Sequence, residues 1–322
     1  MVKVNNHLLP RMVIKRWEAH DGKIYDKVND KIRSVDRLDY SEKYYYSLGK
    51  VDDTLENRIS HFEQYVGNIL KDLDEAKDSI ELSEKDMEIL KLYAYLQSCR
   101  NENTSPYIKS DESGIYMNNN YLFGVPHVST QEEAVKITSR ICDEFERIKN
   151  LGSTAKYSYD YRFLIGDGVN SPLLRGLHLV IVSNSTNSFI TSETTAVIEC
   201  SMDSDYMFTF VPVSPKIGLI LAKSKYFYDI EQIEYTKARF GRKYGNFYPD
   251  PRLSEVISDS KLIFNGIASD AKVKLSICEL SRQEIYNLNS VIYEDGNKIL
   301  FSNEEALKES KYTNPQREII LG

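Results

Sequence analysis

The apolar residues of this chain change their period once, near residue 152, and that change limits what it can fold into. Before it they recur at three- and four-residue steps, the spacing of one face of an α-helix. Leu55, Ile59, Phe62, Val66, Ile69, Leu70 and Leu73 form such a stripe within TLENRISHFEQYVGNILKDL. A second helix is predicted from Ser83, where Asp86 closes a Ser-x-x-Asp cap and Met87, Leu90, Tyr93, Ala94 and Leu96 face inward. A third opens at Thr130-Gln131-Glu132-Glu133 and passes through Val135, Ile137, Ile141 and Ile148 to a stop at Gly152. Pro10 suits the first position of a short helix running through Arg11 to Trp17.

After Gly152 the apolar residues come in short runs, at 161–165, 177–182, 189–190, 196–198, 207–211 and 217–221, which read as strands. SNSTNS, between Val182 and Phe189, reads as a hairpin connection that makes its flanking runs antiparallel neighbours. Ser281 and Glu284 form a capping box ahead of one late helix, followed by the short strand KILFS and a polar tail. NENTSPYIKSDESG, between the second and third helices, is a long polar loop, a kind that is often functional. No internal repeat or low-complexity tract is present. The expectation is one α+β domain over 1–322, mainly helical over 1–152 and mainly strand over 153–322. A helical layer packs beside a mostly antiparallel sheet.

Composition bounds the setting. With 322 residues, 41% of them hydrophobic and 28% charged, the chain can bury a substantial core. No apolar run approaches the roughly 18 residues of a membrane span, and Asn, His and Arg interrupt the first twenty residues too often for a signal segment. The expected location is the cytoplasm. A formal charge of -7 argues against a surface that coats nucleic acid everywhere, yet leaves room for a local basic groove. Cys99, Cys142, Cys200 and Cys278 are far apart with no CxxC pair, which suits reduced thiols better than a zinc site or disulfides.

Chemistry is sought where polar residues fall on apolar faces, because burying them costs free energy unless they are paired. Glu56 and Glu63 are seven residues apart and lie within roughly 20° of each other on one helix edge, beside Ile59, Val66 and Leu70. They could hold a divalent cation or act as acid and base, or form a solvated edge with basic partners. Gln97 and Arg100 continue the inner face of the second helix, and Arg100 could meet Glu56 or Glu63 as a structural ion pair or as the cation of a site. Asn289, inward with Ile285, Leu288 and Ile292, is expected to cap or bridge backbone. His7, just ahead of a helix, could be an acid/base group, a metal ligand or a cap. His20, His61, His127 and His178 are read as structural.

The segment YTKARFGRKYGNFYP interleaves Lys237, Arg239, Arg242, Lys243 and Tyr244 with further aromatics. Such a mixture suits a surface for single-stranded nucleic acid, and it also occurs in ordinary protein contacts. Gly166-Asp167-Gly168 lacks the lysine of a phosphate loop and reads as a tight turn. No HExxH, GxSxG or kinase motif set is present.

Several marks nonetheless stand in order: Asn5-Asn6-His7-Leu8-Leu9-Pro10, Gly22-Lys23-Ile24-Tyr25, Leu55-Glu56 with Glu63, and Gln97 with Arg100. Phe189-Ile190-Thr191-Ser192-Glu193, Pro212-Val213-Ser214-Pro215-Lys216 and Asn289 follow. Over nearly its whole length the chain resembles the prokaryotic family catalogued as domain of unknown function 4238. It departs from the family pattern at Asn6-His7, where His-His or Gln-His is usual. It departs again at Ser192-Glu193-Thr194-Thr195, where Ser-Asp-Asn-Pro is usual, so Glu193 would stand in for an aspartate with a longer arm. Some members are similar to antiviral defence genes on mobile elements. The resemblance thus implies a defence effector, and the polar set His7, Glu56, Glu63, Gln97, Arg100 and Glu193 could support phosphodiester cleavage, with or without a divalent cation. A non-catalytic sensor or interaction module, and an enzyme acting on a nucleotide such as NAD, remain open alternatives. Expected partners are nucleic acid, a second copy of the chain, or a phage-derived trigger.

Overall fold

The computed structural model describes residues 5–36, 39–43, 54–99, 131–150, 156–157, 177–193, 197–201, 206–223, 267–268 and 272–312. In chain order the elements are β1 (Asn5–His7), α1 (Arg11–Glu18), β2 (Lys23–Asp26), β3 (Lys31–Ser34), β4 (Ser41–Lys43), α2 (Thr54–Glu75), β5 (Ser79–Ser83), α3 (Glu84–Cys99) and α4 (Gln131–Lys149). There follow β6 (Lys156–Tyr157), β7 (Leu177–Ser183), β8 (Val197–Ser201), β9 (Tyr206–Pro212), β10 (Ile217–Lys223), β11 (Ile267–Ala268), β12 (Lys272–Glu279), α5 (Arg282–Asp295), β13 (Lys298–Phe301) and α6 (Glu304–Tyr312). The architecture is α+β.

A six-stranded sheet in the order β5-β12-β7-β10-β9-β8 forms the middle layer, antiparallel throughout except where β12 runs parallel to β7. Alternation along each strand divides its side chains between two cores. Leu179, Ile181, Val211, Leu219, Leu221, Val273, Leu275 and Ile277 point towards α2, α3 and α4. Val180, Val182, Phe210, Ile220 and Cys278 point the other way, into a cluster closed by α5, α6 and β13. A smaller sheet, β13-β2-β3, buries Ile299 and Phe301 in that second cluster. Its opposite face puts Ile24 and Leu300 against Leu9, Val13, Ile14 and Trp17 around α1.

The caps read from sequence are present. Ser83 Oγ accepts the Asp86 N–H at 3.0 Å and donates to the Asp86 carboxylate at 2.6 Å, so α3 starts where its Ser-x-x-Asp pattern places it. Ser281 and Glu284 form the reciprocal box that opens α5. Two expectations need correction. Residues 184–190 do not close a hairpin, because the Asn184 side chain accepts the N–H groups of Thr186 and Ser188, which turns the chain out of the sheet. Phe189 N–H then bonds Pro215 O, and Thr191 pairs with Leu300 of β13 rather than with β7. The polar tail after KILFS is also wrong at its start. Asn303 Oδ1 accepts the Glu305 and Ala306 N–H groups, and α6 follows, burying Ala306, Leu307 and Ser310. The loop at 101–114, the run at 161–165, Gly152 and Gly166-Asp167-Gly168 lie outside the described residues.

Candidate functional site

The geometry of the helical layer follows from a few side-chain contacts. Tyr65 donates to Asp86 at 2.8 Å and Phe62 meets Tyr93 edge-on at 6.3 Å, so α3 runs antiparallel to α2. One turn beyond Tyr93, buried Gln97 therefore comes level with the first turns of α2. Arg58 bonds Ser139 and Asp143, His61 meets Glu146 at 3.0 Å, and Phe62 stacks on Phe145 at 4.5 Å, so α4 runs parallel to α2. Thr138, fully buried with no hydrogen-bond partner for its Oγ1, is thus at the same height.

α1 lies along the α2 edge that carries Gly67, where a Cβ would come 3.3 Å from the Met12 sulfur. One turn on, Arg16 donates to Leu70 O at 3.1 Å and grips Asp74, so α1 and α2 are parallel. Arg16 also reaches Val213 O at 2.8 Å, which ties both helices to the β9–β10 turn. Glu63 and Glu56 lie back along this same edge by helical steps. The chain entering α1 passes there too, because Leu8 packs against the cluster of Ile59 and Cys142 that Leu55 and Val135 also border. His7, the last residue of β1, immediately precedes Leu8. Segments carrying His7, Glu56 and Gln97 thereby meet at one end of the helical layer, while Glu63 stands about 10 Å further along α2, level with Tyr93. Glu56 is buried and Glu63 half-buried.

The other selected residues stand elsewhere. Glu193 is occupied by backbone: its two carboxylate oxygens accept the N–H groups of Asn297 at 2.6 Å and Lys298 at 3.0 Å, which fixes the start of β13. Gly296 makes this approach possible, since a Cβ there would fall 2.5 Å from the Ser192 Cβ. Asn289 bridges backbone as expected, donating to Ser188 O at 2.7 Å and accepting from Ile190 N at 3.2 Å. Arg100, Lys237, Arg239, Arg242, Lys243 and Tyr244 lie outside the described residues.

Sequence reasoning missed the most unusual polar pair. Glu88 and Lys91, both fully buried, meet at 2.7 Å within α3, and Glu88 Oε2 has no hydrogen-bond partner. They continue a stripe from Glu84 to Tyr95 on the side of α3 opposite Tyr93 and Asp86. Burial pushes the Glu88 carboxyl above its ordinary range; Lys91 pulls it down, and Glu84 adds to the rise. A usable signal was present: residues 87–97 are apolar on every side of the helix, the mark of a helix enclosed all round. Any polar residue within such a run is interior.

The arrangement defines an α+β protein whose candidate acid/base groups lie along one edge of a helical layer. Nearly the whole chain, residues 5–306, matches the family model described as "Protein of unknown function (DUF4238)", and the chain belongs to that family. No curated protein and no solved structure matches it. Chemically, that edge offers carboxylates able to take or give a proton, an amide able to bond an anionic oxygen, and an adjacent histidine position. Among the described residues, no group of three or more His, Cys, Asp or Glu side chains comes together as a metal site. No helix among the described residues is long and apolar enough to cross a membrane.

Proposed function

We propose that the chain is an antiviral, anti-phage defence effector that cleaves phosphodiester bonds in nucleic acid. The observation that carries this reading is the gathering of β1, the first turns of α2 and the last turn of α3 at one end of the helical layer. In this reading Glu63 and Glu56 act as general base or hold a divalent cation, His7 serves as general acid, and Gln97 bonds a non-bridging phosphate oxygen. Arg100 steadies the charge of the phosphorane. Lys237, Arg239, Arg242, Lys243 and Tyr244 supply the strand-binding surface. The defence role rests on the family resemblance.

The test is incubation of the full chain with labelled RNA and DNA pools in Mg²⁺, Mn²⁺ or chelator, wild type against Glu63→Ala. Cleavage that Glu63→Ala abolishes supports the proposal, and the chelator lane reports the need for metal. Absence of cleavage by a folded, monodisperse sample favours the second reading, a non-catalytic interaction module. The occupation of Glu193 and Asn289 by backbone favours that reading.

A further inference from the structure

Lys149 is the last residue of α4, and its ammonium has both a carboxylate and an imidazole within reach. A plain ion pair one turn apart would rest it on the carboxylate of Glu146. Instead Nζ stands 3.0 Å from Nε2 of His61, across the seam on α2, and 3.8 Å from Glu146 Oε2. An ammonium has no lone pair, so Nζ donates and Nε2 accepts. The ring proton therefore sits on Nδ1, which donates to Glu146 Oε1 at 3.0 Å. The other carboxylate oxygen accepts from Asn150 Nδ2 at 3.4 Å. An amine, a base that receives its N–H and a carboxylate that orients the base thus stand in that order. This is the arrangement that activates a nucleophile for attack on a carbonyl carbon.

Packing holds the order in place. The Phe145 ring, buried beneath both groups, meets His61 edge-on at 5.7 Å and has Lys149 Nζ over its face at 5.6 Å. Polar neighbours along the same seam are engaged elsewhere, Arg58 by Ser139 and Asp143, and Tyr65 by Asp86. The relay is also open to solvent, with the His61 side chain 49% and the Lys149 side chain 27% exposed, so a small reagent can reach Nζ. It shares no residue with the proposed cleavage site.

We propose that Lys149 is an acyl-acceptor lysine, modified by activated acyl thioesters, with His61 as its general base and Glu146 as the residue that positions that base. After the ammonium gives one proton to solvent, the Nζ lone pair attacks the thioester carbonyl carbon and the C–N bond forms. His61 Nε2 takes a proton from that nitrogen and passes it to the sulfur as the C–S bond breaks, so a free thiol leaves and an amide remains. The amide is uncharged, and acylation thereby removes the cation that Glu146 and Phe145 face.

The test incubates the full chain at neutral pH with N,S-diacetylcysteamine, a small acetyl thioester, and follows acetylation of each lysine by peptide mass spectrometry. Lys31 and Lys308, both exposed and neither bonded to an imidazole among the described residues, serve as internal references. Lys149 is expected to acetylate at least roughly tenfold faster than either. His61→Gln keeps an acceptor for Nζ but removes the base, and should bring Lys149 down to the reference rate. Glu146→Leu should also slow it, and Glu146→Gln, whose amide oxygen can still receive the Nδ1 proton, should restore part of the loss. A rate at Lys149 no faster than at Lys31 and Lys308 would overturn the proposal. So would an unchanged rate in folded His61→Gln or Glu146→Leu protein, which would reduce the relay to a contact that joins α2 to α4.

Discussion

Two regions of this molecule bury polar side chains, and they use them differently. Around β13, three polar side chains are spent on backbone, although Thr191 Oγ1 and Ser302 Oγ have no hydrogen bond: Asn289 bridges Ser188 and Ile190, half-buried Glu193 receives Asn297 and Lys298, and Asn184 receives Thr186 and Ser188. Within the helical layer the backbone is already satisfied by the helices themselves, so it offers buried side chains little to bond. Glu88 and Lys91 have each other, Glu88 Oε2 and Thr138 Oγ1 have no hydrogen bond, and Gln97 and Glu56 are enclosed at one end. Polar residues in the first region hold irregular chain in place. Those in the second are costly to bury and do little to shape the backbone, which makes them the better place to look for chemistry.

The sharpest way to break this contrast is at the buried pair. Lys91→Ala should cost about 3–5 kcal/mol, because it strands Glu88 in the interior, whereas Glu88→Leu with Lys91→Met should be neutral or stabilising. Urea unfolding of both variants measures this. Equal losses would mean that the pair shapes the fold as Asn289 does. Next in size, Asn289→Leu should lose about 2–4 kcal/mol, since the buried Ile190 N–H and Ser188 O each forfeit a partner. Glu193→Ala should lose about 1–2 kcal/mol, with faster amide exchange at Asn297 and Lys298.

The smallest expected effect is a pH dependence. Glu88 has a raised folded-state pKa, so the folded protein holds its proton to higher pH than the unfolded chain does. Its contribution to stability is intact below the ordinary glutamate value of 4.5 and falls as pH rises from there towards the raised value. Wild type should therefore lose stability relative to Glu88→Gln as pH rises from 4.5 in paired urea titrations. A parallel pair of curves would contradict the assignment.

Legibility in the sequence followed the same division. Local signals read well: the cap at Ser83, the box at Ser281 and Glu284, the proline before α1, and the need of an inward Asn289 for backbone partners. The seven-residue relation of Glu56 to Glu63 also puts both on one edge of α2. Competition between side chain and backbone read poorly. Asn184 diverts its own chain, so a segment that scans as a hairpin leaves the sheet. Glu193 reads as a free acid because the amides it serves lie at residues 297 and 298. Glu88 and Lys91 pass for a solvated i,i+3 pair until α3 is seen enclosed between the sheet and two helices.

The most direct test of the proposed site compares wild type, Glu63→Gln and Glu193→Gln, per folded molecule, for cleavage of labelled RNA and DNA pools. If the proposed site cuts nucleic acid, wild type cleaves, Glu63→Gln abolishes cleavage with little change in melting temperature, and Glu193→Gln melts earlier and still cleaves. Loss of cleavage in folded Glu193→Gln together with full activity in Glu63→Gln would contradict it.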